Sequence, residues 1–433
     1  MTTSERPNVL IFVSHDTGRH ISPYGIRTVH TPNAERLAAE GVVLDNCFCA
    51  APQCSPSRAS IFTGRYPHNT GMLGLANPRA GWELDPDEVH AAAHFRGLGY
   101  DTVLVGIAHE TSDHQKRGWD TIRPERNAND VAPALGQWLD QRANSPKPFY
   151  AQVGTFETHI PFTHDGCGAD DSLGLTVPPF LVDSEGTRHD LRGLQGSVRR
   201  WDQAVGCLMQ ALDDRGLASN TILVVTTDHG IAFPRAKCTL YDPGIGALCL
   251  IRWPAGGVAG GRRFAEMISN IDILPTLLDA AGAAVPDRIQ GRTFLPLLTG
   301  GQYRRRDVIF AEQTFHEHYE PVRGLRTARY KYFRYFDQGG TFDIPSDMRL
   351  NRMYTDNVRQ IVQSPSHREM ENLFDLNADP LERVNLAGSL AHQDVRAELS
   401  HRLAEWMRET DDPLLLGPVP SPWYRRCIDS LGR

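Results

Sequence analysis

The sequence has no apolar run long enough to cross a membrane. The run that follows the first few residues, Val9 to Val13, is also far too short for the core of a signal peptide. A membrane partner is therefore not expected. Paired cysteines are missing too. The eight cysteines stand at 47, 49, 54, 167, 207, 238, 249 and 427, with no CxxC pair or metal-knuckle spacing. Several lie in apolar stretches where free thiols are ordinary, so a reducing, cytoplasmic setting is expected. Basic blocks are scarce as well. The net charge is −7, and the densest basic run, Arg304-Arg305-Arg306, reads as a solvated loop. Nucleic acid is not an expected partner. No internal repeat or low-complexity tract interrupts the chain.

What the chain does have is length and alternation. Its 433 residues can bury a large core and predict one large domain plus a smaller one. Residues 8–13 form a continuous apolar run, the mark of a central parallel strand buried on both faces. Residues 31–41 read as a helix, with Thr31 as N-cap, Pro32 at the first helical position and Gly41 past the end. Further strands are predicted at 42–49, 101–105, 148–153, 221–226 and 247–253, and helices at 89–99, 131–142, 191–214 and 271–281. This alternation predicts an α/β fold with a mostly parallel central sheet flanked by helices, over residues 1–300. Residues 301–410 differ: 307–313 and 322–336 read as antiparallel strands, and 393–409 as a helix, making a smaller α+β domain. Residues 411–433 show no periodicity and are expected to form an extended tail, lying on this subunit or exchanged with another in a homo-oligomer.

One segment organises the rest. Cys54-Ser55-Pro56-Ser57-Arg58 is followed by Ala59-Ser60-Ile61-Phe62-Thr63-Gly64-Arg65. Ser55 as N-cap, Pro56 at the first helical position and Gly64 past the end predict a short helix. Cys54 then sits at a helix mouth whose backbone N–H groups attract anions. Arg58, one turn on, reaches toward the same anion. A nucleophile, a positive helix end and an arginine suggest displacement at a sulfate or phosphate.

Four predicted parallel strands run out into His15-Asp16, His109, His159 and Asp228-His229. The ligand crevice of an open α/β sheet lies at the carboxyl ends of its strands, so these residues are expected on one edge. Each alone is more simply a capped or solvated residue; four together beside Cys54 point to a site. Asp16, Asp228, His229 and His15 have the chemistry of a single divalent-metal site. Carboxylates suit Mg²⁺, Ca²⁺ or Mn²⁺, and imidazole shifts the preference toward Mn²⁺ or Zn²⁺. Lys237 is read either as an anion contact folded back from Asp228-His229 or, more simply, as a surface lysine.

Cys-x-Pro-Ser-Arg followed by Thr-Gly-Arg resembles the signature of type I sulfatases, members of the alkaline-phosphatase-like superfamily. The resemblance runs from Asn8 to about Leu386 and includes Leu373-Phe374-Asp375-Leu376 with Asp379-Pro380-Leu381-Glu382. Within that family, Asp228-His229-Gly230-Ile231-Ala232-Phe233-Pro234, Leu240-Tyr241-Asp242-Pro243-Gly244 and Gly71-Met72-Leu73-Gly74-Leu75 look most like N-sulfoglucosamine sulfohydrolases. The resemblance implies that a formylglycine-generating enzyme oxidises Cys54 to formylglycine, whose hydrate is a metal ligand and the nucleophile. It implies that Arg58 holds that hydrate, that His159 and Lys237 contact the sulfate and protonate the leaving atom, and that His109 helps remove a proton from the hydrate. The implied metal ligands are His15, Asp16, residue 54, Asp228 and His229. The implied substrate is a small sulfated compound, such as a sugar sulfate or N-sulfated glucosamine.

Two departures bear on this. The usual metal set resembles Asp, Asp, Asp, Asn, whereas His15 and His229 stand at the first and last positions, favouring Mn²⁺ or Zn²⁺ over the usual Ca²⁺. The lysine common two residues before the His109 position is Ile107, with Lys116 or Arg117 as candidate replacements. Losing a cation matters more for a dianion than for a monoanion, which favours a sulfate ester, a sulfamate or a phosphodiester over a phosphate monoester. A phosphonate monoester or phosphodiester hydrolase of the same superfamily is the main alternative. A thiol phosphatase using unmodified Cys54 fits poorly, because Arg58 comes too early after the cysteine and position 60 is Ser. A binding protein without catalysis is the remaining reading.

Overall fold

The computed structural model describes residues 6–337, 344–363 and 369–432. Its centre is β1 (Asn8–Ser14), where Val9 to Val13 are fully buried. The period of two divides this strand between two cores. Leu10 and Phe12 join one side with Leu194, Val198 and Trp201, and Val9, Ile11 and Val13 join the other with Phe95, Ile273 and Leu277. Burying each such side chain contributes roughly 1.5–3 kcal/mol before the entropy of ordering is counted.

The remaining strands of the large sheet are β2 (Val42–Phe48), β3 (Asp101–Gly106), β4 (Thr121–Arg123), β5 (Phe149–Gly154), β6 (Thr221–Thr227), β7 (Gly246–Ala247), β8 (Cys249–Arg252) and β9 (Arg262–Ser269). The order is β4-β3-β5-β1-β6-β8-β2-β7, with β9 also paired to β2. From β4 through β6 every pairing is parallel. The β8 strand lies antiparallel to β6 and to β2, and β7 is antiparallel to β2. The mostly parallel α/β sheet expected from the sequence is present. The smaller sheet is antiparallel throughout: β10 (Ile309–Phe315), β11 (Tyr319–Arg326), β12 (Tyr330–Tyr335) and β13 (Glu371–Asp375).

Three local expectations need correction. The helix Pro32–Glu40 is not capped by Thr31, whose hydroxyl instead accepts from the Ser22 backbone N–H. Its free N–H groups are taken from a distance: Asn33 and Ala34 donate to the Asp202 carboxylate at 3.1 and 2.7 Å. Asp202 belongs to the long helix Glu185–Asp213, so this bond locks two helices together as well as capping one. Asp202→Ala is expected to lower stability by about 1–3 kcal/mol, read as a lowered urea midpoint; an unchanged midpoint would show that water caps the helix equally well.

The second correction concerns Arg306, which is not solvated. It is 7 % exposed and paired with Asp272, while Arg304 and Arg305 are exposed. The third concerns the tail. It is not extended throughout, since Pro422–Ser430 is a helix capped by the Ser421 hydroxyl. The Trp423 indole N–H of that helix donates to the Arg79 carbonyl on the same chain. Pro275, awkward in the predicted helix 271–281, sits in the first turn of Ile273–Ala280, where its missing N–H has no intrahelical role.

Candidate active site

The four parallel strands β3, β5, β1 and β6 are consecutive neighbours, and all end on the same edge. His109, His159, His15-Asp16 and Asp228-His229 follow directly from those ends. Two of these residues have left-handed backbone conformations, Asp16 with φ 49° and His109 with φ 61°. Such residues cost on the order of 1–3 kcal/mol each and persist where their surroundings dictate the conformation. Gly106 permits the turn out of β3: its φ is 89°, and a Cβ there would lie 2.0 Å from the Gly154 carbonyl oxygen.

Cys54 opens the helix Cys54–Thr63, so the helix begins two residues earlier than the sequence suggested. Gln53, not Ser55, is the N-cap, and the Ser55 hydroxyl accepts from the Ala76 N–H at 2.9 Å. Gly64 ends the helix at φ 68°, as expected. The whole helix is buried, which is unusual for so polar a segment. Ser57 and Asn270 account for part of this, bonding each other at 2.9 Å while Ser57 also donates to the Asp228 carbonyl at 2.5 Å.

The Cys54 Sγ stands 3.5 Å from His229 Nε2 and 3.8 Å from Asp16 Oδ1. His229 Nε2 is 3.1 Å from Asp16 Oδ1, and its Nδ1 donates to the Gly230 carbonyl at 3.0 Å. That bond makes Nδ1 the donor and leaves Nε2, facing Cys54 and Asp16, as the nitrogen a metal would take; against burial, the Asp228 and Asp16 carboxylates raise the imidazole's pKa well above its ordinary value. Asp228 is an organiser. Its Oδ1 accepts the backbone N–H groups of Asp16 and His229, both at 2.9 Å, and its Oδ2 accepts from Arg58 Nε at 3.1 Å. Arg58 is fully buried and also donates to the Ser14 carbonyl at 2.9 Å. Its hydrogen bonds thus go to Asp228 and the backbone behind the site, and they fix the site's frame.

Lys237 is no surface lysine. It is 2 % exposed, with Nζ donating to Asp16 Oδ2 at 2.8 Å and to Asp347 Oδ2 at 2.9 Å, and lying 3.3 Å from His159 Nε2. Burial alone would push its pKa down, but Asp16, Cys54 and Asp347 carry it well above the ordinary lysine value. Burial would likewise raise the Cys54 thiol; Lys237 and the imidazoles of His109, His15 and His159 overcome this and bring it well below the ordinary range. His15 is pushed down to about 4 by burial and by Arg58, so it is neutral at pH 7. His159 moves the other way, because Asp16 and Cys54 outweigh burial and Lys237.

Two overlapping clusters have the reach of a metal site: Asp16, Cys54, Asp228 and His229, and His15, Asp16, Cys54 and His159. Neither ring nitrogen of buried His15 has a well-formed hydrogen bond, although Nδ1 is 3.3 Å from Asp228 Oδ2. Mixed carboxylate and imidazole donors with an orphaned buried imidazole fit a divalent cation. All the site residues read from the sequence therefore meet at one place. The proposed replacements for the missing lysine do not: Lys116 pairs with Asp113, and Arg117 bonds Glu83 and the Leu84 carbonyl. The residue that sequence reasoning missed is Asp347. It lies on the short helix Ser346–Arg349, far along the chain, with no strand end or motif to mark it.

The family model for sulfatases matches residues 7–283, and the model for the C-terminal region of N-sulphoglucosamine sulphohydrolases matches residues 233–372. An ulvan-active sulfatase of Formosa agariphila is 28% identical over 94% of this chain and 76% of its own length. Human N-sulphoglucosamine sulphohydrolase is 25% identical over 95% of this chain and 92% of its own. Among solved structures, that of a 2-O GAG sulfatase superposes with a TM-score of 0.76 at 21% identity, covering 96% of this chain and 95% of the other.

Proposed function

The chain belongs to the sulfatase family, and from that premise we propose that it hydrolyses a small sulfated sugar through a formylglycine made from Cys54. The observation that carries this reading is the position of Cys54 Sγ, at a helix mouth within 4 Å of both His229 and Asp16. In the proposal Sγ stands in for the oxygens of a hydrated formylglycine. The residues are suited to both halves of the reaction. One geminal hydroxyl, its proton lost to water, attacks sulfur as the bond from sulfur to the leaving oxygen or nitrogen breaks, and that atom takes a proton from the His159–Lys237 pair, whose raised pKa values keep the proton available. The second hydroxyl gives its proton to His109, the carbon–oxygen bond to sulfate breaks, and the aldehyde is restored. His109 is suited to this by its place beside Cys54, whose pKa it helps to lower. Asp16, Asp228, His229 and His15 would hold a divalent cation, which when bound neutralises the anion and acidifies a neighbouring hydroxyl.

Support for a sugar comes from the relatives, one active on ulvan and one named for N-sulphoglucosamine. The cytoplasmic setting is part of the proposal and rests on eight cysteines, all free. No helix among the described residues is long and apolar enough to cross a membrane. The rival within the superfamily is a phosphonate monoester or phosphodiester hydrolase, favoured by the histidine at position 229. Steady-state kinetics on matched aryl sulfate and aryl phosphonate separate the two. The sulfate is expected to have the higher kcat/KM by about a hundredfold or more. A preference of that size for the phosphonate would overturn the sulfatase chemistry.

A further inference from the structure

Almost every charged group in the site is sealed from solvent. The side chains of Asp16, Arg58, Asp228 and His229 are fully buried, and those of Lys237 and His15 are 1% and 3% exposed. Three members of the cluster are part-exposed: His109, His159 at 24% and Asp347 at 22%. The leaving group of a hydrolysed ester stays attached to the bulk of the substrate, so that bulk must project through the open side. Asp347 and His159 therefore flank the path the leaving group takes.

Asp347 is also held in place. Its Oδ2 accepts from Lys237 at 2.9 Å and stands 3.4 Å from His159 Nε2, while its Oδ1 accepts from the Met348 N–H at 2.8 Å. The next residue, Met348, is 2% exposed and packs into the core that contains Trp201 and Val198. Ser346 on the other side is tied through its N–H to Glu317 at 2.8 Å. The carboxylate is thus fixed at the mouth by neighbours on both sides, with a face left to solvent. The pairing with Lys237 offsets its charge, and a carboxylate, with about four lone-pair sites, still has room to accept a further donor from its open side.

We propose that Asp347 is a specificity-determining residue: it accepts a hydrogen bond from a hydroxyl or ammonium group on the substrate beside the scissile sulfate bond. This inference rests on the sulfatase reading of the site. Asp347 selects leaving groups that carry a neighbouring donor, and it disfavours those that carry a second negative charge there. A free sugar presents such donors on adjacent carbons; a plain aryl sulfate presents none.

The test compares phenyl sulfate with 2-(aminomethyl)phenyl sulfate, whose ammonium lies beside the reacting oxygen, using the converted, metal-loaded enzyme. The wild type is expected to prefer the ammonium substrate in kcat/KM by about tenfold, mostly through KM. In Asp347→Asn and Asp347→Ala the preference is expected to fall below about twofold, and Asp347→Glu to restore part of it. Because the ratio is read within each variant, a general effect on Lys237 or on folding cancels. An unchanged ratio in the Asn and Ala variants, or no preference in the wild type, overturns the inference and leaves the sulfatase reading standing. Failure of the wild type to turn over either sulfate removes that reading, and the inference with it.

Discussion

Replacing Cys54 by alanine is expected to lower sulfate-ester turnover by about 10⁴-fold or more while leaving the protein folded. In the proposed reaction residue 54 supplies the nucleophile, at the point where the site converges. Lys237, His109, His15 and His159 all act on its sulfur, and His229 Nε2 and Asp16 Oδ1 lie 3.5 and 3.8 Å away. Removing a covalent nucleophile removes the pathway and not merely a contact, and losses of this order follow. Folding should suffer less. Alanine leaves a small void at a 1% exposed position, a cost of about 1–3 kcal/mol. Circular dichroism and kcat/KM on the same preparation separate the two effects. Near-wild-type turnover by a folded Cys54→Ala protein would place the nucleophile elsewhere.

The second large effect is expected at Arg58, and there stability and activity should fall together. Arg58 is wholly buried, and its guanidinium holds Asp228 Oδ2 and the carbonyls of Ser14 and Ala108. Methionine would fill much of the space but would leave a buried carboxylate and two carbonyls without their donor. Breaking one side of a buried pair costs about 3–5 kcal/mol. Asp228 in turn accepts the N–H groups of Asp16 and His229, so its displacement would shift both candidate ligands. Arg58→Met is expected to lower kcat/KM by about 10²–10³-fold as well, the scale of losing preorganised charge. Arg58→Lys should recover part of the stability and less of the activity, because an ammonium cannot span three acceptors as the guanidinium fork does. Activity lost with no change in the denaturation midpoint would instead mean that Arg58 acts on substrate alone.

Much of this was legible in the sequence because the information is local. A run such as Val9 to Val13, apolar at every position, describes a strand covered on both faces, and β6 carries the same mark. Parallel strands that run into His or Asp announce which edge carries chemistry, and His15, His109, His159 and Asp228 all arrived there. The helix Gln393–Glu409 lies where its periodicity put it.

What escaped is what depends on a distant partner. The strand β9 begins exposed and becomes buried only in its second half, so it has no uniform pattern to read. The fates of Arg306 and Lys237 were set by Asp272 and Asp16, residues far along the chain. Thr31 gave up its capping role because Asp202 was already placed to cap that helix from elsewhere. Asp347 is the extreme case. A short polar helix between β12 and β13 delivers a carboxylate to the mouth of a site otherwise built from residues 15–237.

In the proposed reaction the thiol of Cys54 is a precursor and an aldehyde is the working group. Mass spectrometry of the proteolytic peptide spanning residue 54 tests it most directly, on protein made with and without a formylglycine-generating enzyme and assayed for sulfate release. An aldehyde is expected at position 54, in a fraction that rises in proportion to specific activity. Full activity in protein whose Cys54 is entirely an unmodified thiol would contradict it.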